Sequence, residues 1–198
     1  MQNGARKYIA QSGLTGAQGL DRVIPGRPIY QVTNSSYQLN NDQQLVIDLT
    51  YITDDGMSVI KRFTFEKTSY SVNVEYIINN KTSAPVSVQM YAQLKQSTLV
   101  ESGTTLMPTY RGSAYSTTED RYEKYDFDDI AEINLNITTK GGWVAMLEHY
   151  FVSSWVPNKN DSNQIYSSYS SNSEAVIGFK APALTVEPNN KATTSAIF

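Results

Sequence analysis

The feature that most constrains this chain is a period-two alternation of apolar and polar residues. Val86, Val88, Met90, Ala92 and Leu94 alternate with Ser87, Gln89, Gln93 and Lys95. Just before them, Val72, Val74, Tyr76 and Ile78 alternate with Ser71, Asn73 and Glu75. In an extended strand successive side chains point to opposite faces, so this spacing places one apolar face against a core; a helix would scatter the same residues around its axis. Asn79 to Pro85 joins the two runs. Upstream, Leu45–Ile52 and Val59–Glu66 flank Asp54-Asp55-Gly56, an Asp-Gly turn signal that predicts a β-hairpin.

The rest of the chain follows the same logic. Trp143–Leu147 is apolar on both faces, as a central strand of a sandwich would be. Strands are also predicted over Ile165–Tyr169, Ala175–Ala181, Leu184–Glu187 and Thr193–Phe198. Lys140-Gly141-Gly142 reads as a tight turn. The glycines and prolines of the first 30 residues read as loop, and so do Asn158–Asn163 and Ser167–Asn172. Ser97–Asp126 reads as a long excursion with short strands. Asp126–Glu132 fits one helical turn capped by Asp126. No segment of 11 or more residues has helical periodicity. The expectation is an antiparallel all-β sandwich with little or no helix.

Composition narrows the chemistry. The 198 residues contain no Cys and a single His, so thiol catalysis, disulfides and His-cluster metal sites are excluded for this chain alone. The net charge of −3 and the lack of a basic run argue against nucleic acid as a partner. No stretch approaches a membrane span, and Met1–Lys7 has no apolar core of the signal-peptide kind. Abundant Ser, Thr and Asn, with Tyr outnumbering Phe by 14 to 6, suit an extracytoplasmic β-domain.

No catalytic constellation stands out. His149 reads as a strand residue whose neighbour Glu148 points to the opposite face. The acidic clusters Asp54-Asp55, Glu119-Asp120 and Asp126–Asp129 lack the calcium-loop pattern. Gly141-Gly142 lacks the helix and Lys of a phosphate loop. No catalytic, metal or cofactor residue is assigned. A sugar-binding or sugar-modifying sandwich and a surface adhesin stay open beside a plain binding domain.

An ordered series of motifs goes further. It runs Arg111-Gly112-Ser113-Ala114-Tyr115-Ser116-Thr117, Tyr122-Glu123-Lys124-Tyr125, Phe127-Asp128-Asp129-Ile130-Ala131 and Lys140–Leu147, then Tyr150-Phe151 and Trp155-Val156-Pro157. Ala10–Gly16, Arg27–Tyr30 and Gln93–Ser97 add to it. The series resembles the large periplasmic domain of the YidC family of bacterial membrane protein insertases. The resemblance implies an antiparallel β-supersandwich of mutarotase-like architecture, without the mutarotase catalytic motif. It implies a non-catalytic domain at the periplasmic face of the inner membrane. The implied partners are SecF of the SecDF accessory complex and the translocon, with membrane protein substrates handled by a membrane bundle outside this chain. It further implies one domain over 1–198, truncated at both ends, with the membrane anchor and the closing helices absent.

The partner surface is expected between Pro108 and Trp155. The candidate contact residues there are Tyr110, Arg111, Tyr115, Tyr122 and Tyr125, since Tyr and Arg are enriched at interface hot spots. The competing reading gives Gly112, Gly141, Gly142 and Trp143 to packing and turns.

Overall fold

The computed structural model describes residues 7–21, 26–98, 110–170 and 173–198. In chain order the strands are β1 (Tyr8–Thr15), β2 (Gln31–Val32), β3 (Gln44–Ile52), β4 (Met57–Glu66), β5 (Val72–Asn80) and β6 (Val86–Ser97). Then come β7 (Gly112–Ser116), β8 (Glu123–Tyr125), the helix α1 (Phe127–Glu132), β9 (Asn136–Lys140), β10 (Trp143–Leu147) and β11 (Val152–Pro157). The last are β12 (Ser162–Ser170), β13 (Glu174–Lys180), β14 (Leu184–Val186) and β15 (Lys191–Ile197). Every pairing with a defined register is antiparallel. The fold is thus the expected all-β sandwich, and its described helix is only six residues long.

The strands cluster into two compact units, one drawn from residues 13–90 and 182–198, the other from 1–12 and 91–181. In the first, the sheet order is β2-β3-β4-β5-β15. The β3–β4 hairpin closes where the Asp-Gly signal placed it. Thr53 N donates to Met57 O at 2.8 Å, and Thr53 Oγ1 accepts from Met57 N at 2.9 Å. The alternation that predicted β5 and β6 is the burial pattern itself: Val74, Tyr76, Ile78, Val88 and Met90 are buried. Asn80, at the end of β5, is buried and fully engaged. Its Nδ2 donates to Ala84 O and Val186 O, each at 2.8 Å, and its Oδ1 accepts from Thr82 N at 2.9 Å. A buried amide left unpaired would be costly, so these bonds hold the β5–β6 turn and β14 in place.

In the second unit, β13 is flanked by β6 and β12, with β9 beyond β12. A second layer runs β11-β10-β7-β8. Strand β10 packs on β13, and α1 packs on β12 and β13. The core between these layers includes Leu94, Val144, Met146, Ile165, Ile177, Phe179 and, from α1, Ile130. The central position expected for Trp143–Leu147 is observed, because β10 pairs with β7 on one side and β11 on the other.

Four local expectations are corrected. Tyr8–Thr15 is not loop: it forms β1 beside β6, pairing across a sequence gap that local composition does not reveal. Ser162, Asn163 and Ser167–Ser170 belong to β12. Asn163 Nδ2 donates to Asp161 O at 3.0 Å, and Ser167 Oγ accepts from Leu135 N at 2.8 Å. Asn136–Lys140, unassigned from sequence, is β9, paired with β12. His149 is not on a strand but in the exposed turn between β10 and β11. Within the Ser97–Asp126 excursion, β7 and β8 are the described strands, and 99–109, which include Pro108, lie outside the described residues, as do Ser171 and Asn172.

A charge cluster ties the start of this unit to its centre. The Glu174 carboxylate, its side chain only 6% exposed, accepts from Lys95 Nζ at 2.5 Å and Lys7 Nζ at 3.1 Å. These hydrogen bonds, Lys95 first, hold its carboxyl below the usual carboxylate range. A depressed folded value stabilises above the unfolded value and loses that stabilisation as pH falls through the folded one. Wild type should therefore melt above Glu174→Gln at neutral pH, with the two melting curves converging below about pH 4. Thermal melts of both proteins over that range check this, and a constant difference down to pH 3 would refute it.

Candidate functional site

The predicted contact residues sit where β7 meets β8. The register pairs Ser113 with Tyr125, Ala114 with Lys124 and Tyr115 with Glu123. Strand β8 is the outer strand of this layer, and the chain turns from it directly into α1. Asp126 caps that helix as its sequence foretold. Its Oδ1 accepts from Asp128 N at 2.9 Å and Asp129 N at 3.0 Å, and Asp129 Oδ2 accepts from Asp126 N at 2.9 Å. This reciprocal pair satisfies free backbone donors at the helix start and fixes α1 on the end of β8.

The five residues differ in what they leave free. The Tyr110 hydroxyl donates to Ser113 O at 2.7 Å, and Lys124 Nζ lies 4.5 Å above its ring. Burial, with the Asp126 carboxylate next, pushes that hydroxyl up to about 12, so it remains a donor at neutral pH. Tyr115 and Tyr125 meet edge to face, with centroids 6.3 Å apart. Both hydroxyls are raised, chiefly by burial, with Glu123 next for Tyr115 and Asp129 for Tyr125. Tyr125 also donates to Ile133 O at 2.5 Å. Tyr122 is 48% exposed, its ring tilted against Trp143 at 5.9 Å.

Arg111 works inward. Its Nη2 donates to Ser97 O of β6, its Nε lies 4.0 Å from Glu148 Oε1, and its guanidinium carbon lies 5.4 Å over the Phe127 ring. Glu148 also accepts from Gln96 Nε2. One side chain thus links β6, the β10–β11 turn and α1. Of the five candidates, Tyr110, Arg111, Tyr115 and Tyr125 gather around β7, β8 and α1, and Tyr122 lies on the β7–β8 connection, against Trp143 and close enough to Tyr110 to act on its hydroxyl.

Sequence reasoning missed the most exposed aromatics nearby. Glu148 N donates to Phe151 O at 2.8 Å and Phe151 N to Glu148 O at 3.2 Å, closing a turn with His149 and Tyr150 at its tip. Tyr150, Phe151 and Val152 are 82%, 75% and 65% exposed. The His149 ring stands edge-on to Tyr150 at 3.9 Å. The available signal was an apolar run with no room for a longer loop between two strands. Among the described residues, no group of three or more His, Asp or Glu is placed to hold a metal ion, and no helix is long and apolar enough to cross a membrane.

Antiparallel layers with long ladders, and one short helix among the described residues, define a β-sandwich. The fold resembles that of a galactose mutarotase-like protein from Clostridium acetobutylicum, with a TM-score of 0.52 at 6% identity, covering 87% of this chain and 66% of that one. Such low identity speaks to fold alone. The family model described as the YidC periplasmic domain matches residues 1–198, and the chain belongs to that family. It is 50% identical over 186 residues to a membrane protein insertase YidC of Psychromonas ingrahamii, covering 93% of this chain and 33% of that protein. It is 46% identical over 191 residues to the one from Shewanella piezotolerans, covering 96% and 35%. The chain thus spans about a third of the length of the curated relatives it matches.

Proposed function

We propose that this chain is a non-catalytic, partner-contacting domain of a membrane protein insertase, standing at the periplasmic face of the inner membrane. The observation that carries this reading is the family-model match over residues 1–198, together with relatives named as membrane protein insertases. The domain's task is contact and positioning. Insertion of membrane protein substrates belongs to the parts of the relatives that this chain does not span. Its partner is the periplasmic part of SecF, and through it the translocon. The contact surface lies on the second unit, around β7, β8, α1 and the β10–β11 turn.

The geometry favours contact over sugar chemistry. His149, the chain's sole His, sits on an exposed turn. The neighbouring Glu148 is turned back onto Gln96 and Arg111. A general base needs an orienting partner, and the adjacent carboxylate is already engaged elsewhere. Immobilised SecF periplasmic part should retain the chain, and full-length insertase should co-purify with SecF. Retention of neither would contradict the reading.

A further inference from the structure

The register brings an apolar turn and an acidic helix to the same end of one layer. Leu147 pairs with Val152 on one side and with Gly112 on the other, and Ser113 pairs with Tyr125. The β10–β11 turn and α1 therefore leave the layer at a common end, about 10 Å apart across two strand spacings. Arg111 fastens them, touching Glu148 of the turn and Phe127 of the helix.

The turn is built to be exposed. Two backbone hydrogen bonds close it, so little ordering is needed on binding. Its charge is folded inward at Glu148, leaving Tyr150, Phe151 and Val152 as an uncharged surface. Three consecutive, largely exposed apolar side chains on one hydrogen-bonded turn are unlike the scattered exposed hydrophobics of an ordinary surface. The helix beside them carries Asp128, Asp129 and Glu132 and has no basic residue in its last turn. Asp129 is committed to the cap, whereas Asp128 and Glu132 are exposed.

From this juxtaposition we infer that the end of this layer docks a basic, amphipathic segment of the protein partner. The apolar stripe of that segment lies on Tyr150, Phe151 and Val152, and its flanking Lys or Arg face Asp128 and Glu132. The inference rests on the partner-contact reading and names the chemistry of that contact. Charge complementarity selects the occupant, because an acidic helix beside the aromatic turn opposes an anionic lipid surface. Arg111 is a positioning residue here, holding the turn and the helix in their mutual arrangement.

The test uses two probes: a synthetic helical peptide of Leu and Lys with its Leu and Glu counterpart, and the purified periplasmic part of SecF. Wild type should bind the Lys peptide and not the Glu peptide. Tyr150→Ser/Phe151→Ser should weaken that binding at least about tenfold, as expected for buried aromatic anchors. Asp128→Lys/Glu132→Lys should weaken it and flatten its salt dependence. These are surface changes, and unaltered melting curves would confirm folding. Absent Lys-peptide binding, or affinities within twofold for both variants, would overturn the inference. Phe151-dependent binding to phosphatidylethanolamine–phosphatidylglycerol vesicles, without such dependence for the peptide, would overturn it in favour of a lipid surface. Peptide results as expected with no SecF binding would leave the inference standing and sink the SecF reading instead.

Discussion

Phe179→Ala is expected to destabilise the protein by about 3–5 kcal/mol, the usual loss for emptying a buried aromatic site. Phe179 is fully buried on β13, where it lies opposite Ala92 of β6 and Ile165 of β12. Both flanking ladders fix the backbone at this point, so the walls cannot collapse into the vacancy, and the cost should fall at the upper end. At roughly 2–4 °C per kcal/mol, the melting temperature should drop by roughly 6–20 °C. Phe179→Leu should lose clearly less, because more of the volume is kept. A melting temperature within about 2 °C of wild type for the Ala variant would show that Phe179 does not anchor the core.

Gly142→Ala should be similarly severe for a different reason. Gly142 has φ +81°, and an added Cβ would meet Ser116 O at 2.4 Å and Thr139 Cγ2 at 3.1 Å. Ser116 is the register partner of Trp143, so its carbonyl is part of the β7–β10 ladder and cannot retreat without opening it. Left-handed backbone and forced packing together amount to about 2–6 kcal/mol. Gly56→Ala separates the two contributions. Its φ is +99°, but the nearest atom to an added Cβ, Lys81 O, is 3.5 Å away. That variant should lose only about 1–2 kcal/mol. Chemical denaturation of both variants measures the difference, and equal losses would mean that the close approach to Ser116 carries no weight.

What could be read from the sequence was whatever is local. The β3–β4 hairpin announced itself because its turn and both strands lie within one stretch of chain. The α1 cap was legible because Asp126 and Asp129 are three residues apart. Strand β1 was not, since its glycine-bearing sequence becomes a strand only beside β6, far along the chain. The polar end of β12 was read both as strand, over Ile165–Tyr169, and as loop, over Ser167–Asn172, because nothing in the sequence shows that Leu135 supplies Ser167 with a hydrogen bond.

The candidate site divides the same way. Composition pointed to a block of chain but could not say which way each ring faces. Tyr110 and Arg111 are drawn inward by Ser113, Ser97 and Phe127. Tyr150 and Phe151 were noted as a motif, but their exposure was not foreseen because their turn is closed by backbone bonds, without Gly, Asn or Pro to mark it. Family motifs recovered the fold and the family, whereas the layout of the proposed contact surface needed the register of β7, β8, β10 and β11.

The central claim is that this domain works by contact through the end of its second unit. Hydrogen–deuterium exchange of the full-length insertase, with and without the periplasmic part of SecF, tests it most directly. The account predicts new protection confined to α1, the β10–β11 turn and the adjoining ends of β7 and β8. Protection confined to β3 and β4, or none at saturating partner, would contradict it.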